Sequence, residues 1–282
     1  MKKIWIFGAG RTGGNIYKQL RSSADIQGFL DNDSSYWGTV KEGLPIIGNP
    51  EALRGRAYDE VVIASSTALP VMRKQLLDAG VDPLRINSSF VETQVNARIN
   101  FLRDFASMKI ETPAGCAVAE GGVFQGEFAK EINGCFPDFT LHLFDTFEGF
   151  DQRDIDVETA RNFSNEKARH FNITSEDLVR EKLPHPERAV FHKGYFPETT
   201  RDVTEPSFLF VNLDFDLYNP TLAGLRFFYP RMVPYGVILI DDYFLPGYLG
   251  VSNAIHDFEQ EIGHRMIKLP IGDRCGIAIV KR

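Results

Sequence analysis

The sequence predicts two Rossmann-like α/β units in tandem, a smaller βαβ unit followed by a larger open sheet. Three observations predict it. Strand-length apolar runs alternate with segments of helical period along the chain, each half begins with a strand and a glycine turn, and acidic residues close several of the apolar runs. Near-continuous apolar strands of this kind belong to mostly parallel sheets covered by helices on both faces.

Residues 2–7 (KKIWIF) read as the first buried strand, GAGRTGGN as its turn, and Ile16, Tyr17 and Leu20 as a helix stripe. Residues 26–30 give a second strand ending at Asp31. A turn-rich DNDSSYWG and a short LPIIG strand follow, and Asn49-Pro50 marks a helix start. VVIASS (61–66) is the third main strand, 69–79 a helix, and RINSSF (85–90) closes a unit spanning 1–90. Residues 91–112 are expected to form a helical linker, because Val95, Ile99, Leu102 and Phe105 keep helical spacing.

From residue 113 to 282 the alternation restarts. CAVAEG (116–121) is a strand, 124–133 a helix and LHLFD (141–145) a second strand. The polar stretch 150–173 lacks apolar periodicity and reads as a loop or lid. A helix at 173–183 takes Thr174 as N-cap, with Asp177 three residues on. Strands follow at 189–194, 208–214 and 236–242, helices at 219–231 and 251–262, and GIAIVKR is the last strand.

With 282 residues the chain holds two domains, and 43% hydrophobic against 24% charged residues suits a core that forms without staples. Cys116, Cys135 and Cys275 lack metal-type spacing and read as buried thiols of a reducing compartment. No stretch approaches the ~18 apolar residues of a membrane span. MKKIWIFGAG reads as a strand rather than an export signal, so the cytoplasm is the expected location. Residues 1–90 carry 11 basic and 9 acidic side chains, whereas 91–282 carry 20 and 29, a net of −9. An acidic domain without a basic stripe is a poor nucleic-acid partner. Gathered carboxylates suit a divalent cation. The exposed helix at 91–110 points to a homo-oligomer.

Ligands of open α/β sheets sit outside the carboxyl ends of the strands. The first strand of the larger unit ends in Glu120-Gly121-Gly122, with Gly126 opening the helix, and glycines there admit a ligand close to the backbone. The next strand ends in Asp145, where an acid can accept both hydroxyls of a ribose. FLFVNLD ends in Asp214, followed by Phe215 and Asp216, and GVILID ends in Asp241-Asp242. Four carboxylates at one sheet edge repel one another unless a cation compensates, and oxygen ligands suit magnesium, calcium or manganese. N-capping accounts for one or two of them at most.

The segments VAEGGVFQGEFAKEIN, LHLFDTFEGFD, KGYFPET, FVNLDFDLYNPTLAGLRFFYPRM and GVILIDDY together resemble the macrocin O-methyltransferase (TylF) family, in order, over residues 115–260. The sequence departs from the family pattern at Pro234-Tyr235-Gly236, where a double glycine is commoner, and in the extra Gly121. The resemblance implies a class I S-adenosylmethionine-dependent methyltransferase sheet, magnesium, and a sugar hydroxyl as acceptor. It also implies that Glu120, Gly121, Gly122 and Gly126 line the methionine part of the cofactor. Asp145 would bind the ribose, with Thr146 and Phe147 beside it, and Gly194 and Tyr195 would lie near the adenine. Asp214, Asp241 and Asp242 would hold the metal, Asp216 and Tyr218 would face the substrate or brace the loop, and Asp214, beside the metal, is the expected base. His142 and His192 are alternatives on paper.

In the smaller unit Gly8, Gly10, Arg11 and Gly13 fit G-x-G-x-x-G after a strand and before a helix, and Asp31 ends the next strand. That context points to a nucleotide: the unit holds the nucleotide of a nucleotide-linked sugar, or it acts as a regulatory or assembly module. The unit is half a dinucleotide fold without a Tyr-x-x-x-Lys pair. The expected activity is therefore methyl transfer to a sugar or nucleotide-sugar hydroxyl. The alternative is an NAD(P)- or nucleotide-sugar-binding oxidoreductase or epimerase working through GAGRTG.

Overall fold

The computed structural model describes every residue except Thr67, and the side chains of residues 93–96 also lie outside the description, Val95 among them. The chain divides into two compact units, Met1–Asn96 and Ala97–Arg282.

The first unit runs β1 (Lys3–Phe7), α1 (Arg11–Leu20), β2 (Asp25–Leu30), β3 (Val40–Lys41), β4 (Leu44–Pro45), β5 (Glu60–Ile63), α2 (Leu69–Asp78) and β6 (Ile86–Asn87). Its main sheet has the order β2-β1-β5-β6, parallel throughout. Alternate residues of β1 serve opposite faces: Ile4 and Ile6 pack with α1, Trp5 and Phe7 with α2. The expected helix at Asn49-Pro50 is one 3-10 turn, Pro50–Leu53, capped by the Asn49 side chain. Pro50 fixes its start, and only Pro50 and Leu53 are buried, so no apolar stripe extends it.

Helix α3 (Ser89–Ser107) follows, and the boundary between the units falls within it. The second unit contains β7 (Cys116–Gly121), α4 (Glu127–Cys135), β8 (Leu141–Asp145), α5 (Gln152–Arg161), α6 (Glu176–Arg180), β9 (Ala189–Lys193), β10 (Ser207–Leu213), α7 (Tyr218–Phe228), β11 (Met232–Ile240), α8 (Leu249–Ile262), β12 (Ile267–Pro270) and β13 (Ile277–Val280). Its seven-stranded sheet has the order β12-β13-β11-β10-β7-β8-β9. Only β13 breaks the parallel run, pairing antiparallel with both β11 and β12.

The sheet is covered on both faces, as its apolar strands require. One face packs Ala119, Phe144, Val211 and Ile238 against α7 and α8. The other packs Val118, Leu143, Phe210 and Leu239 against α3, α4 and α6, with Leu102 and Phe105 of α3 fully covered or nearly so. A register shift between Phe208 and Phe210 in β10 lets Leu209 and Phe210 both serve this second face.

Three expectations are corrected here. The stretch 150–173 contains a helix, α5, whose N-cap Asp151 accepts from the Arg153 N–H. Its inward face is polar: Asp154 and Glu158 are buried beside Ile155, which hides the usual apolar period. Asp154 accepts from the Tyr195 hydroxyl (2.9 Å) and Asn219 (3.1 Å), and Glu158 accepts from the Tyr218 N–H (2.8 Å). Helix α6 covers only Glu176–Arg180 and is capped by Ser175, because the Thr174 hydroxyl donates instead to the Phe124 carbonyl. Strand β12 was not expected; half of it is exposed, and its IKLP sequence shows no alternation.

Phe210 is fully buried, with ring centroids of Phe105 and Phe136 at 5.8 and 5.9 Å. Phe210→Ala should destabilise the second unit by about 3–5 kcal/mol in chemical denaturation. A loss under about 1 kcal/mol would contradict this packing.

Candidate active site

The carboxyl ends of β11, β10, β7, β8 and β9 lie side by side, and the chain reverses its direction of travel across the sheet between β7 and β10. That switch point is where an open α/β sheet leaves a crevice. Backbone bonds hold the loops in register beyond the strands: Asp214 N–H to Gly121 C=O (2.8 Å), Gly122 N–H to Phe144 C=O (2.9 Å), Gly194 N–H to Asp145 C=O (2.9 Å) and Asp241 N–H to Leu213 C=O (3.2 Å).

The glycines of the first loop are forced by contact. Gly122 sits at φ +79, and a Cβ there would stand 2.0 Å from the Asp214 carbonyl oxygen. A Cβ on Gly121 would lie 2.2 Å from the Phe215 ring, and one on Gly126, in the left-handed N-cap of α4, 2.7 Å from Val179. The glycine loop and the acidic loop therefore touch backbone to backbone.

Asp145 organises the same loop. Its Oδ2 accepts from the N–H groups of Val123 (2.7 Å) and Phe124 (2.9 Å), and its Oδ1 from Phe147 N–H (2.7 Å). Burial raises its pKa against these bonds. Thr146 donates to the Gly149 carbonyl (2.6 Å), and Phe147 is buried at φ +53. Tyr195, bonded to Asp154, lies under the Arg153 guanidinium at 3.5 Å. Arg153 itself grips Asp151 and Glu198, and Arg161 stands over the Tyr218 ring at 4.6 Å, so these charges are held within the fold.

The acidic edge is dense. Asp214, Asp216 and Asp242 each bring an oxygen within 4.8 Å of the others, and Asp241 groups likewise with Asp273 and Cys275. Both Asp216 (φ +62) and Asp242 (φ +59) occupy the left-handed region, which Asp tolerates better than most residues. Burial, then the Asp241 charge, pushes Asp214 up to about 8. Burial and the adjacent Asp242 hold Asp216 well above the carboxylate range. Glu120, 2% exposed, is raised by burial and by Asp214, and accepts from Asn212 Nδ2 at 2.8 Å. These oxygens and raised pKa values fit a hard divalent cation, which would stabilise the ionised forms.

A cation supplied by the chain itself already stands there. Arg98 of α3 donates through Nη1 to Asp241 (2.5 Å) and Asp214 (3.2 Å), and through Nη2 to Asn212 (3.0 Å) and Asp214 (3.3 Å). Nothing in the sequence marked it, since it lies on a helix read as a linker. Asn212 left a faint signal as a polar residue inside an apolar strand.

The structure thus brings Glu120, Gly121, Gly122, Asp145, Asp214, Asp241 and Asp242 to one edge, and adds Asp216 to the Asp214–Asp242 group. His142 and His192 are 2.8 Å apart, and His142 is 3.2 Å from Glu205; they bond to none of the strand-end aspartates named above. Burial lowers both pKa values, His192 to about 4.

The smaller unit repeats the loop device. Asp31 Oδ2 accepts from Ala9 N–H (2.7 Å) and Oδ1 from Asp33 N–H (2.9 Å). Gly8 sits at φ +110, and a Cβ on Gly13 would lie 1.9 Å from the Gly8 carbonyl, whereas Gly10 faces open space. Arg11, exposed, opens α1.

Numbered from β7 onward, the larger sheet has the order 3-2-1-4-5-7-6 with its seventh strand antiparallel. With a glycine loop after strand 1 and an acid after strand 2, that is the architecture of a class I methyltransferase. Residues 88–276 match the family described as Macrocin-O-methyltransferase (TylF), and the chain belongs to that family of O-methyltransferases. Residues 1–87 match a family described as C2185-like, N-terminal. The solved structure of the O-methyltransferase NovP is similar at 20% identity and a TM-score of 0.53, over 66% of this chain and 79% of that one. The calicheamicin methyltransferase CalS11 is similar at 18% identity and a TM-score of 0.53, over 76% of this chain and 88% of that one. These two likenesses concern the fold. Comparison with curated proteins gives no match.

Two outcomes follow from this geometry. Gly122→Ala should displace the acidic loop and lower the melting temperature by several degrees, equivalent to about 1–3 kcal/mol of backbone strain plus the clash. An unchanged melting curve would contradict the contact. Second, a free Asp titrates near about 3.9, whereas folded Asp214 keeps its proton up to about 8. Between those values the folded chain binds the extra proton, so without divalent ions its stability should fall as pH rises from 5 to about 8. Melting temperatures in a chelator, with Asp214→Asn showing a flatter profile, check the sign.

Proposed function

We propose that the chain transfers a methyl group from S-adenosylmethionine to a sugar hydroxyl, with a divalent ion such as Mg2+ at the acidic edge. The backbone contact between the glycine loop and the Asp214 loop carries this reading, because it sets a cofactor-type loop beside hard oxygen ligands. In this reading Glu120, Gly121, Gly122 and Gly126 face the methionine part of the donor, and Asp145, Thr146 and Phe147 the ribose. Gly194 and Tyr195 face the adenine. Asp214 and Asp242 hold the ion together with Asp216 or Asp241. The ion, when bound, lowers the pKa of the acceptor hydroxyl.

Asp214 takes the hydroxyl proton, since it is the ion-side carboxylate whose loop touches the glycine loop. The hydroxyl oxygen forms its bond to the methyl carbon in line as the S–CH3 bond breaks, and S-adenosylhomocysteine leaves. The chain's share is orientation and exclusion of water. The glycine loop is pre-formed by the Asp145 bonds, and α5 is clamped by buried Asp154 and Glu158.

The same proposal divides the chain into a Rossmann-like unit at 1–90, a connecting segment at 91–112 whose helix packs from Ala97 onward with the second unit, and the methyltransferase domain at 113–282. Gly8, Gly10, Arg11, Gly13 and Asp31 would meet the nucleotide of a nucleotide-linked acceptor, and the cytoplasm is the proposed compartment. No helix among the described residues is long and apolar enough to cross a membrane.

Calorimetric titration of S-adenosylhomocysteine into the full chain, with and without Mg2+, tests the reading. Micromolar binding is expected, weakened at least tenfold in Asp145→Ala, which strips acceptors from three backbone N–H groups. Asp242→Asn should lower the rate of methyl transfer to sugar hydroxyls by about 100-fold or more, since ion assistance supplies several kcal/mol. Absence of S-adenosylhomocysteine binding in both conditions would overturn the methyltransferase site. Binding of NAD(P) in its place would favour the oxidoreductase reading.

A further inference from the structure

The acidic edge contains a cation of its own. Asp214, Asp216, Asp241, Asp242, Asp273 and Glu120 crowd the ends of three adjacent strands and the turn before β13. Arg98 is a positive side chain bonded among them, its own surface 12% exposed, with its guanidinium 4.8 Å from the Phe128 ring centre. It reaches one oxygen of Asp241, one of Asp214, and the amide of Asn212, which in turn donates to Glu120. Two buried oxygens of the cluster, Asp241 Oδ1 and Asp273 Oδ2, have no hydrogen-bond partner among the described residues. The cluster therefore holds acceptor oxygens that this guanidinium leaves unmet, yet it occupies oxygens of Asp214 and Asp241 that an incoming ion would use. An ion on Asp214, Asp216 and Asp242 shares one carboxylate with Arg98; an ion on Asp214, Asp241 and Asp242 shares two.

We propose that Arg98 is the resident cation of the acidic edge, bonded to Asp214 and Asp241 in the ion-free chain and competing there with the divalent ion. The inference rests on the divalent-ion reading given above. Arg98 is a positioning residue: it touches the carboxylates and not the reacting atoms. Its charge lets the edge fold without metal and sets the affinity threshold at which metal enters. Its link through Asn212 to Glu120 carries any shift of the guanidinium to the loop proposed for the methyl donor.

The experiment is Mn2+ binding to the full chain, measured by the paramagnetic signal of the free ion, for wild type, Arg98→Met and Arg98→Lys. Competition predicts that Arg98→Met binds Mn2+ at least tenfold more tightly than wild type. Arg98→Lys, which keeps the charge, should stay within about threefold of wild type. Melting curves supply a second readout: Arg98→Met should gain far more thermal stability from Mn2+ than wild type does. Equal or weaker Mn2+ binding by a folded Arg98→Met overturns the inference while leaving the metal reading intact. Failure of wild type and both variants to bind Mn2+ sinks the metal reading and the competition with it. Should Arg98→Met not fold, the wild-type chain decides. With 15N-labelled arginine, saturating Mg2+ must move the buried Arg98 side-chain resonance, and a resonance that stays still while Mg2+ binds overturns the proposal.

Discussion

The contact on which the site depends is the approach of the Gly121–Gly122 backbone to that of Asp214 and Phe215. It lies where the chain reverses across the sheet, so no other pair of loops brings a first-strand turn against a fourth-strand turn. A Cβ on Gly122 would stand 2.0 Å from the Asp214 carbonyl oxygen, so one of the two loops would have to shift. Packed cores tolerate small changes poorly, and at Gly122 the junction has backbone on both sides, while Gly121 lies against the Phe215 ring. The buried faces of β7 and β10 then anchor both loops to one rigid sheet.

Around that junction, electrostatics works against the fold. Two like charges 4 Å apart repel by about 4 kcal/mol at an effective dielectric near 20, and several carboxylates stand at about such distances. Three relief routes exist: protonation, the guanidinium of Arg98, or an external cation. The raised pKa values of Asp214, Asp216 and Glu120 express the first, and the bonds of Arg98 the second. Such strained charge marks functional sites more often than structural ones, because a purely structural need is met as well by apolar residues.

Much of the fold was legible because apolar strands and glycine turns are local signals. The strand-end acids could be placed at one edge from the parallel order alone. What stayed hidden was nonlocal or polar. Helix α5 escaped because Asp154 and Glu158 face inward toward Tyr195, Asn219 and Tyr218, partners far along the chain. Arg98 escaped because an arginine on a helix looks the same facing solvent or carboxylates. The grouping of Asp216 with Asp214 and Asp242 depends on two left-handed turns, and an aspartate's letter does not reveal its φ.

Asp31 and Asp145 perform one task twice. Each closes the second strand of its unit, accepts an N–H two residues ahead, and reaches back to the backbone of the preceding glycine turn. Both turns are thereby shaped before any ligand arrives, and ordering entropy is largely spent during folding. A pocket built this way behaves as a socket rather than a clasp. A ligand can then enter or leave either turn without the loop having to melt.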